Sequence, residues 1–291
     1  MIFNICFIYM KTRRIKFKKE QCAPSTNKRA LAGSCFSDNV LYKLKNAYNT
    51  SRVKKIEENN PKKIWHALKT ELQECDSESC WVKTLNVADS EIKNYTFAPK
   101  KPSSWKKNKN TWLTNYDILK VMTQYEHAFP HFKFLGPSPI DFDAMEETEC
   151  VWKDLCDFNL KRYLNQGKKY LGIVFNLDTH DKAGSHWVAA FIDVPKQTFY
   201  YFDSTGEPTP KEVVRLVERV KQQFKEGGVA MKFQENRVEH QQGNTECGMY
   251  VLYFIAYMIV YNDFSKFSKD RKTVTDKRVE SLRNVMFNDT T

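Results

Sequence analysis

The chain has 291 residues, of which 41% are hydrophobic and 14% aromatic, enough apolar material for a packed core. That composition excludes a chain disordered throughout, and the length points to one large domain or two unequal ones. The net charge of +11 is unevenly spread: by count, residues 1–50 hold ten Lys/Arg against two Asp/Glu, and residues 51–100 hold nine against eight. A basic arm suits nucleic acid, an acidic protein or a membrane surface, and it equally suits a solvated tail.

Met1 to Met10 is apolar, but a bilayer span needs roughly twenty residues. The basic run Lys11 to Lys19 follows it, the reverse of a signal peptide's order. Neither secretion nor a transmembrane helix is expected, and Met10 is an alternative start. Residues 1–36 read as a basic irregular arm. Residues 37–98 read as a helical N-terminal domain. Val40, Leu41, Leu44, Ala47 and Tyr48 share one face of a helix over 39–48, and Ile64, Ala67, Leu68 and Leu72 do so over 62–74. Two prolines and a run of lysines make 99–110 a linker.

The core is expected over 111–291. Trp112-Leu113 opens a helix reaching about Ala128. Strands are expected over 172–177, 187–194 and 197–203. A helix follows from Thr209 to Lys225 with the stripe Val213, Leu216, Val217, Val220 and Phe224. Pro210 in its first turn and Gly227-Gly228 beyond its end fit the start and stop rules. Val229–Phe233 reads as a strand. Residues 245–260 form a nearly all-apolar helix, which must be buried. A last helix is expected around 275–286. The fold class is α+β, a central sheet with helices around it.

Eight cysteines (Cys6, Cys22, Cys35, Cys75, Cys80, Cys150, Cys156 and Cys247) form no regular framework and no Cys-x-x-Cys. Free thiols in a reducing compartment are expected. Cys75/Cys80 and Cys150/Cys156 are loose metal spacings without a histidine pair, so no metal is expected.

Cys247 stands between Glu246 and Gly248 at the mouth of the apolar helix. A helix N-terminus carries about half a positive charge, which favours a thiolate. Gln241 lies six residues earlier and offers N–H donors that titration cannot remove, which suits an oxyanion. Such a thiol needs a base, and the base needs an orienting acceptor. His186 precedes one strand and Asp203 ends the next. The two strands are about equally long, so His186 and Asp203 meet at the open end of a hairpin, where facing Cβ atoms lie roughly 4.5–5.5 Å apart. Taken singly, each residue has a plainer reading as core, surface or turn. The ordered combination carries the chemistry. His240 adjoins Gln241 and receives no role.

The order His186-Trp187, then Asp203, then Gln241-x5-Cys247-Gly248 resembles the Ulp/adenain-type cysteine peptidases. Trp112-Leu113-Thr114-Asn115 is similar to the Trp-Leu-Asn-Asp opening of that domain, departing at its third and fourth positions. Glu246 stands where many members have Asp. With Cys75-Asp-Ser-Glu-Ser-Cys80, Gly184-Ser185-His186-Trp187 and Asp203-Ser204-Thr205-Gly206, the resemblance narrows to the polyprotein-processing, SUMO-protease-like enzymes of African swine fever virus and other large DNA viruses. It covers about 110–260.

The resemblance implies a mixed sheet flanked by helices, with a helical arm domain that helps position substrate. It implies Cys247 as nucleophile, His186 as base and then acid, and Asp203 as its orienter. Gln241 and the backbone N–H of Cys247 would form the oxyanion hole. Trp187 and Trp112 would roof a tunnel that admits only glycine ahead of the cut. No cofactor is implied. The expected function is cleavage of viral structural polyproteins after Gly-Gly-type sites, in the host cytoplasm and the virion. The basic arm would meet DNA or an acidic partner, and no membrane. Removal of ubiquitin-like modifiers is the alternative, then acyl transfer, which usually has Glu at the position of Asp203, and last a non-catalytic module.

Overall fold

A computed structural model describes residues 17–270 and 274–289. The expectations placed on residues 1–16 lie outside the described residues. The chain divides into two compact units, one of residues up to Glu20 and Asn27–Thr96, the other of Gln21–Thr26 and Phe97 onward.

The first unit holds helices α1 (Asp38–Ser51), α2 (Pro61–Glu71), α3 (Glu78–Thr84) and α4 (Ser90–Tyr95). Ser37 caps α1 by accepting from the Val40 N–H, and Asn60 caps α2 just ahead of Pro61. Those caps satisfy donors that the first helical turn leaves open. Leu41, Leu44 and Tyr48 of α1 and Ile64, Trp65 and Leu68 of α2 are buried, the faces read from their spacing. Helices α3 and α4 are too short to leave a period in the sequence. Inside this unit the Glu78 carboxylate accepts from Ser34 Oγ at 2.5 Å, the Cys35 N–H at 2.8 Å and Trp65 Nε1 at 2.6 Å. Burial pushes its pKa up, and those three donors pull against the rise.

The second unit is built on one six-stranded sheet. Its elements, in order, are α5 (Asn115–Ala128), β1 (Phe132–Phe134), β2 (Ser138–Pro139), the small hairpin β3 (Met145–Glu146) and β4 (Glu149–Cys150), α6 (Lys153–Cys156), α7 (Leu160–Asn165), β5 (Tyr170–Asn176), β6 (Trp187–Asp193), β7 (Thr198–Phe202), α8 (Lys211–Glu226), β8 (Lys232–Glu235), α9 (Cys247–Tyr261), α10 (Ser265–Ser268), α11 (Asp276–Ser281) and α12 (Arg283–Met286). The sheet runs β1-β5-β6-β7-β8, with β2 also paired to β5. β5, β6 and β7 are antiparallel neighbours, while β1 and β2 run parallel to β5 and β8 to β7. A mixed sheet flanked by helices is what the sequence implied.

Alternation along the strands splits the core in two. Val174, Ala189, Phe191, Tyr200 and Phe202 pack with α9 and α5 on one face. Leu171, Ile173, Val188, Ala190, Ile192, Phe199 and Tyr201 pack with the apolar stripe of α8 on the other. A sheet covered on both faces reads as continuous apolar runs, as β5 and β6 do. All but four of the fifteen residues of α9 are buried, which explains why it shows no polar face.

Several expectations need correction. Trp112 and Leu113 precede α5 rather than open it. Thr114 is the cap, in a reciprocal box with Asp117. The expected linker carries a short 3-10 turn, Ser103–Lys106, with Trp105 buried. The strand expected at Val229–Phe233 starts three residues later. Cys75 is bonded to Cys80 and Cys150 to Cys156, so these are not free thiols. Cys22 and Cys35 are disulfide-bonded as well. Among the described residues Cys247 alone is a free cysteine.

Candidate active site

The β6–β7 register pairs Ala189 with Phe202 and Asp193 with Thr198. Extended by one step it sets Asp203 against Val188, so His186 is its diagonal neighbour two residues on. The directly facing pair expected from strand length is therefore wrong by two residues. The outcome survives because residues two apart share a face, and a diagonal is within reach of long side chains. His186 Nε2 lies 2.8 Å from Asp203 Oδ1. Asp203 is 2% exposed. Its Oδ1 also accepts from the Thr205 N–H at 2.9 Å and from Thr205 Oγ1 at 2.8 Å.

Cys247 acts on the same ring and favours its charged form. Burial opposes charge on His186, but the hydrogen bonds to Asp203 and then Cys247, with their charges, outweigh it and raise its pKa to about 9. Cys247 is the first residue of α9 and is 2% exposed. Its neighbour Gly248 leaves no room for a side chain, since a Cβ there would sit 2.9 Å from Leu113 Cβ. Glycine lets α9 pack against the Trp112–Leu113 segment beside the thiol.

Gln241 is held at both ends of its amide. Ser204 Oγ donates to Oε1 at 2.8 Å, and Nε2 donates to the Gly243 carbonyl at 2.8 Å. A carbonyl can only accept, which fixes the amide's orientation. One N–H of Nε2 remains uncommitted by those two bonds. His186 and Asp203 are thus bonded, Cys247 acts on the same ring, and Gln241 is tied to this group through Ser204, the residue after Asp203.

Beside this cluster lies a groove of about 500 Å³ lined by Trp112, Leu113, Trp187, Asn176, Gly184 and Trp152, among others. Trp112 is 43% exposed and donates Nε1–H to the Asn244 carbonyl at 2.8 Å. Trp187 is 7% exposed and donates to the Leu113 carbonyl at 3.0 Å. Both rings are pinned by their edges to main chain, so their faces stay in place. Gly184 has φ +98, and a Cβ there would meet Asn176 Nδ2 at 2.7 Å. His240 lies away from the chemistry: it is buried, and its Nε2 is 2.7 Å from the Phe267 carbonyl.

Sequence reading missed four supporting residues. Asn236, wholly buried, accepts the Asp203 N–H at 2.8 Å and donates to the Asp203 carbonyl at 2.8 Å. Ser204 and Thr205, present in the sequence analysis only within the string Asp203-Ser204-Thr205-Gly206, donate to Gln241 and to Asp203. Arg283 grips Glu246 through Nε at 2.9 Å and Nη2 at 3.0 Å, donates to the Thr111 carbonyl at 3.0 Å, and stacks on Trp105. A pair this deeply buried is held by its fork-to-fork geometry and extra acceptors.

A thiol, an imidazole and a buried carboxylate in contact on this fold define a cysteine protease. Residues 153–291 match the family described as the Ulp1 protease family, C-terminal catalytic domain. Those residues carry a Ulp1-family catalytic domain, and the chain is similar to viral cysteine proteases. A thiol protease of Acanthamoeba polyphaga mimivirus is 32% identical over 177 residues, 60% of this chain and 56% of that one. The SUMO-1 cysteine protease of African swine fever virus is 28% identical over 246 residues, 78% of this chain and 89% of that one. The crystal structure of an African swine fever virus protease shares the fold, with a TM-score of 0.66 at 23% identity over 96% of this chain and 99% of that one. The chain thus spans just over half the length of its mimivirus relative.

Proposed function

We propose that the protein is an endopeptidase that cuts viral structural polyproteins after Gly-Gly-type sequences during virion maturation. The observation that carries this reading is His186, hydrogen-bonded to buried Asp203 while the free thiol of Cys247 acts on the same ring. An imidazole with a pKa near 9 is protonated at neutral pH and so holds a proton for the leaving amine. The thiolate of Cys247 attacks the scissile carbonyl carbon, a C–S bond forms, and negative charge collects on oxygen. Gln241 Nε2 and the Cys247 N–H donate to that oxygen. As the C–N bond breaks, His186 gives its proton to the leaving amine. Water then attacks the thioester while His186 takes its proton, the C–S bond breaks, and acid and thiolate are released. Asp203 keeps the ring oriented throughout. Trp112 and Trp187 roof the path before the cut, where only glycine passes flat rings without a side-chain clash.

The name of the African swine fever virus relative favours a second reading, removal of SUMO-like modifiers. The same site serves both. Incubation with a panel of Gly-Gly-X peptides beside SUMO and ubiquitin conjugates separates them. Peptide cleavage with conjugates untouched supports polyprotein processing, and the reverse overturns it. The basic segment 1–36 is proposed to hold the enzyme to DNA or an acidic scaffold at assembly sites in the host cytoplasm and in the virion. Retention on DNA at low salt that is equal with and without those residues would sink that idea.

A further inference from the structure

The loop from Gln241 to Glu246 belongs to no helix or strand, yet it carries the amide assigned to the oxyanion and leads into Cys247. Its fixing points lie in the C-terminal segment. Asp276 Oδ2 accepts the Gln242 N–H at 3.0 Å and the Gly243 N–H at 2.8 Å. Asp276 Oδ1 accepts from Tyr250 Oη at 2.7 Å, and Tyr250 sits one turn beyond Cys247 on α9. Burial, then the bond to Asp276, pushes the Tyr250 pKa up, so the phenol stays a donor. One carboxylate therefore ties the oxyanion loop to the helix that bears the thiol. Gly243 is held by both of its main-chain groups: its N–H by Asp276, and its carbonyl, in the next peptide unit, by Gln241. A change in the backbone angles of Gly243 would move the acceptor that holds the Gln241 amide.

We infer that Asp276 is a positioning residue for transition-state stabilisation, setting Gln241 through the backbone of Gly243 while leaving the thiol's own reactivity alone. The inference rests on the reading of Gln241 as oxyanion donor. A misplacement of about 1 Å in such a donor costs on the order of 10²-fold in rate. Asp276 differs in this from Arg283, which grips the residue next to the nucleophile.

The test compares two probes of the full chain. A Gly-Gly peptide aldehyde adds the Cys247 sulfur to its carbonyl carbon, and the proton passes to the new oxygen, so its affinity reads the oxyanion site. Chloroacetamide alkylates the same sulfur with loss of chloride and makes no oxyanion. In Asp276→Ala, kcat and aldehyde affinity are expected to fall together by about 10–100-fold, with KM and the alkylation rate within about twofold. Asp276→Asn keeps one acceptor oxygen and should recover part of both; it carries the same readouts if the alanine variant does not fold. Unchanged kcat, or alkylation falling in step with kcat, overturns the proposal. Gln241→Ala separates the two layers. Full aldehyde affinity in that variant overturns the oxyanion reading and the brace with it. Lost affinity there, with full affinity in Asp276→Ala, overturns the brace alone.

Discussion

The site joins two regions built on different principles. The His186–Asp203 side is set by a ladder of main-chain bonds, in which β6 and β7 pair residue by residue. The Gln241–Cys247 side has no ladder: its loop is tied by side chains from Ser204, Trp112, Asp276 and Arg283. In the first region the chemistry inherits its precision from backbone geometry. In the second, beyond the main-chain bond from the Gln241 N–H to the Ser204 carbonyl, it depends on side-chain contacts across long sequence separations, each breakable by one substitution.

The largest test bears on the point where the regions meet. Cys247→Ala should remove peptide turnover, a loss on the order of 10⁶, while the melting temperature stays near that of the parent. Cleavage that persists would move the nucleophile elsewhere. On the ladder side, Asp203→Asn keeps the hydrogen bonding size but offers the ring a different partner. Turnover should drop on the order of 10⁴-fold, and a loss below tenfold would mean the carboxylate does not orient the base. On the tied side, Gln241→Ala should lower kcat by on the order of 10²–10³. An unchanged steady-state rate would remove it from the site.

The smallest effect is in stability and again separates the regions. Because the His186 pKa is raised from 6.5 to about 9, its charged form stabilises the fold in full below 6.5 and that contribution is lost as pH rises through 9. The melting-temperature gap between the parent and His186→Asn should therefore narrow from pH 6.5 to pH 9. A gap that widens with pH would reverse the assigned protonation. No such trend is expected for Gln241→Ala, whose amide does not titrate.

The same contrast explains what the sequence disclosed. Helices α1, α2, α8 and α9 and strands β5, β6 and β7 announce themselves by their apolar patterns and, for α8, by Pro210 at its start and Gly227-Gly228 at its end. His186, Asp203, Gln241 and Cys247 were legible because each falls at the end of such an element, and because their order resembles a known family. Asn236, Asp276 and Arg283 were not. A buried Arg283 paired with Glu246 leaves no periodic trace, and its segment reads only as basic. Strands β2, β3 and β4 have two residues each, below any pattern. The hairpin register slipped by two because a facing His186–Asp203 pair needs the hairpin centred between Val194 and Pro195, whereas Asp193 pairs with Thr198 and centres it between Pro195 and Lys196.

The bond between Cys150 and Cys156 brackets Trp152, which lines the groove and is pinned by its Nε1–H to the Leu135 carbonyl at 3.1 Å. Purification buffers for thiol enzymes contain reductant, added to keep the nucleophile alive. Here the same reagent acts on a second target in the wall of the groove, so a reductant titration reports two sulfur chemistries at once. The dose that best protects Cys247 and the dose that leaves the Cys150–Cys156 bond intact are separate quantities.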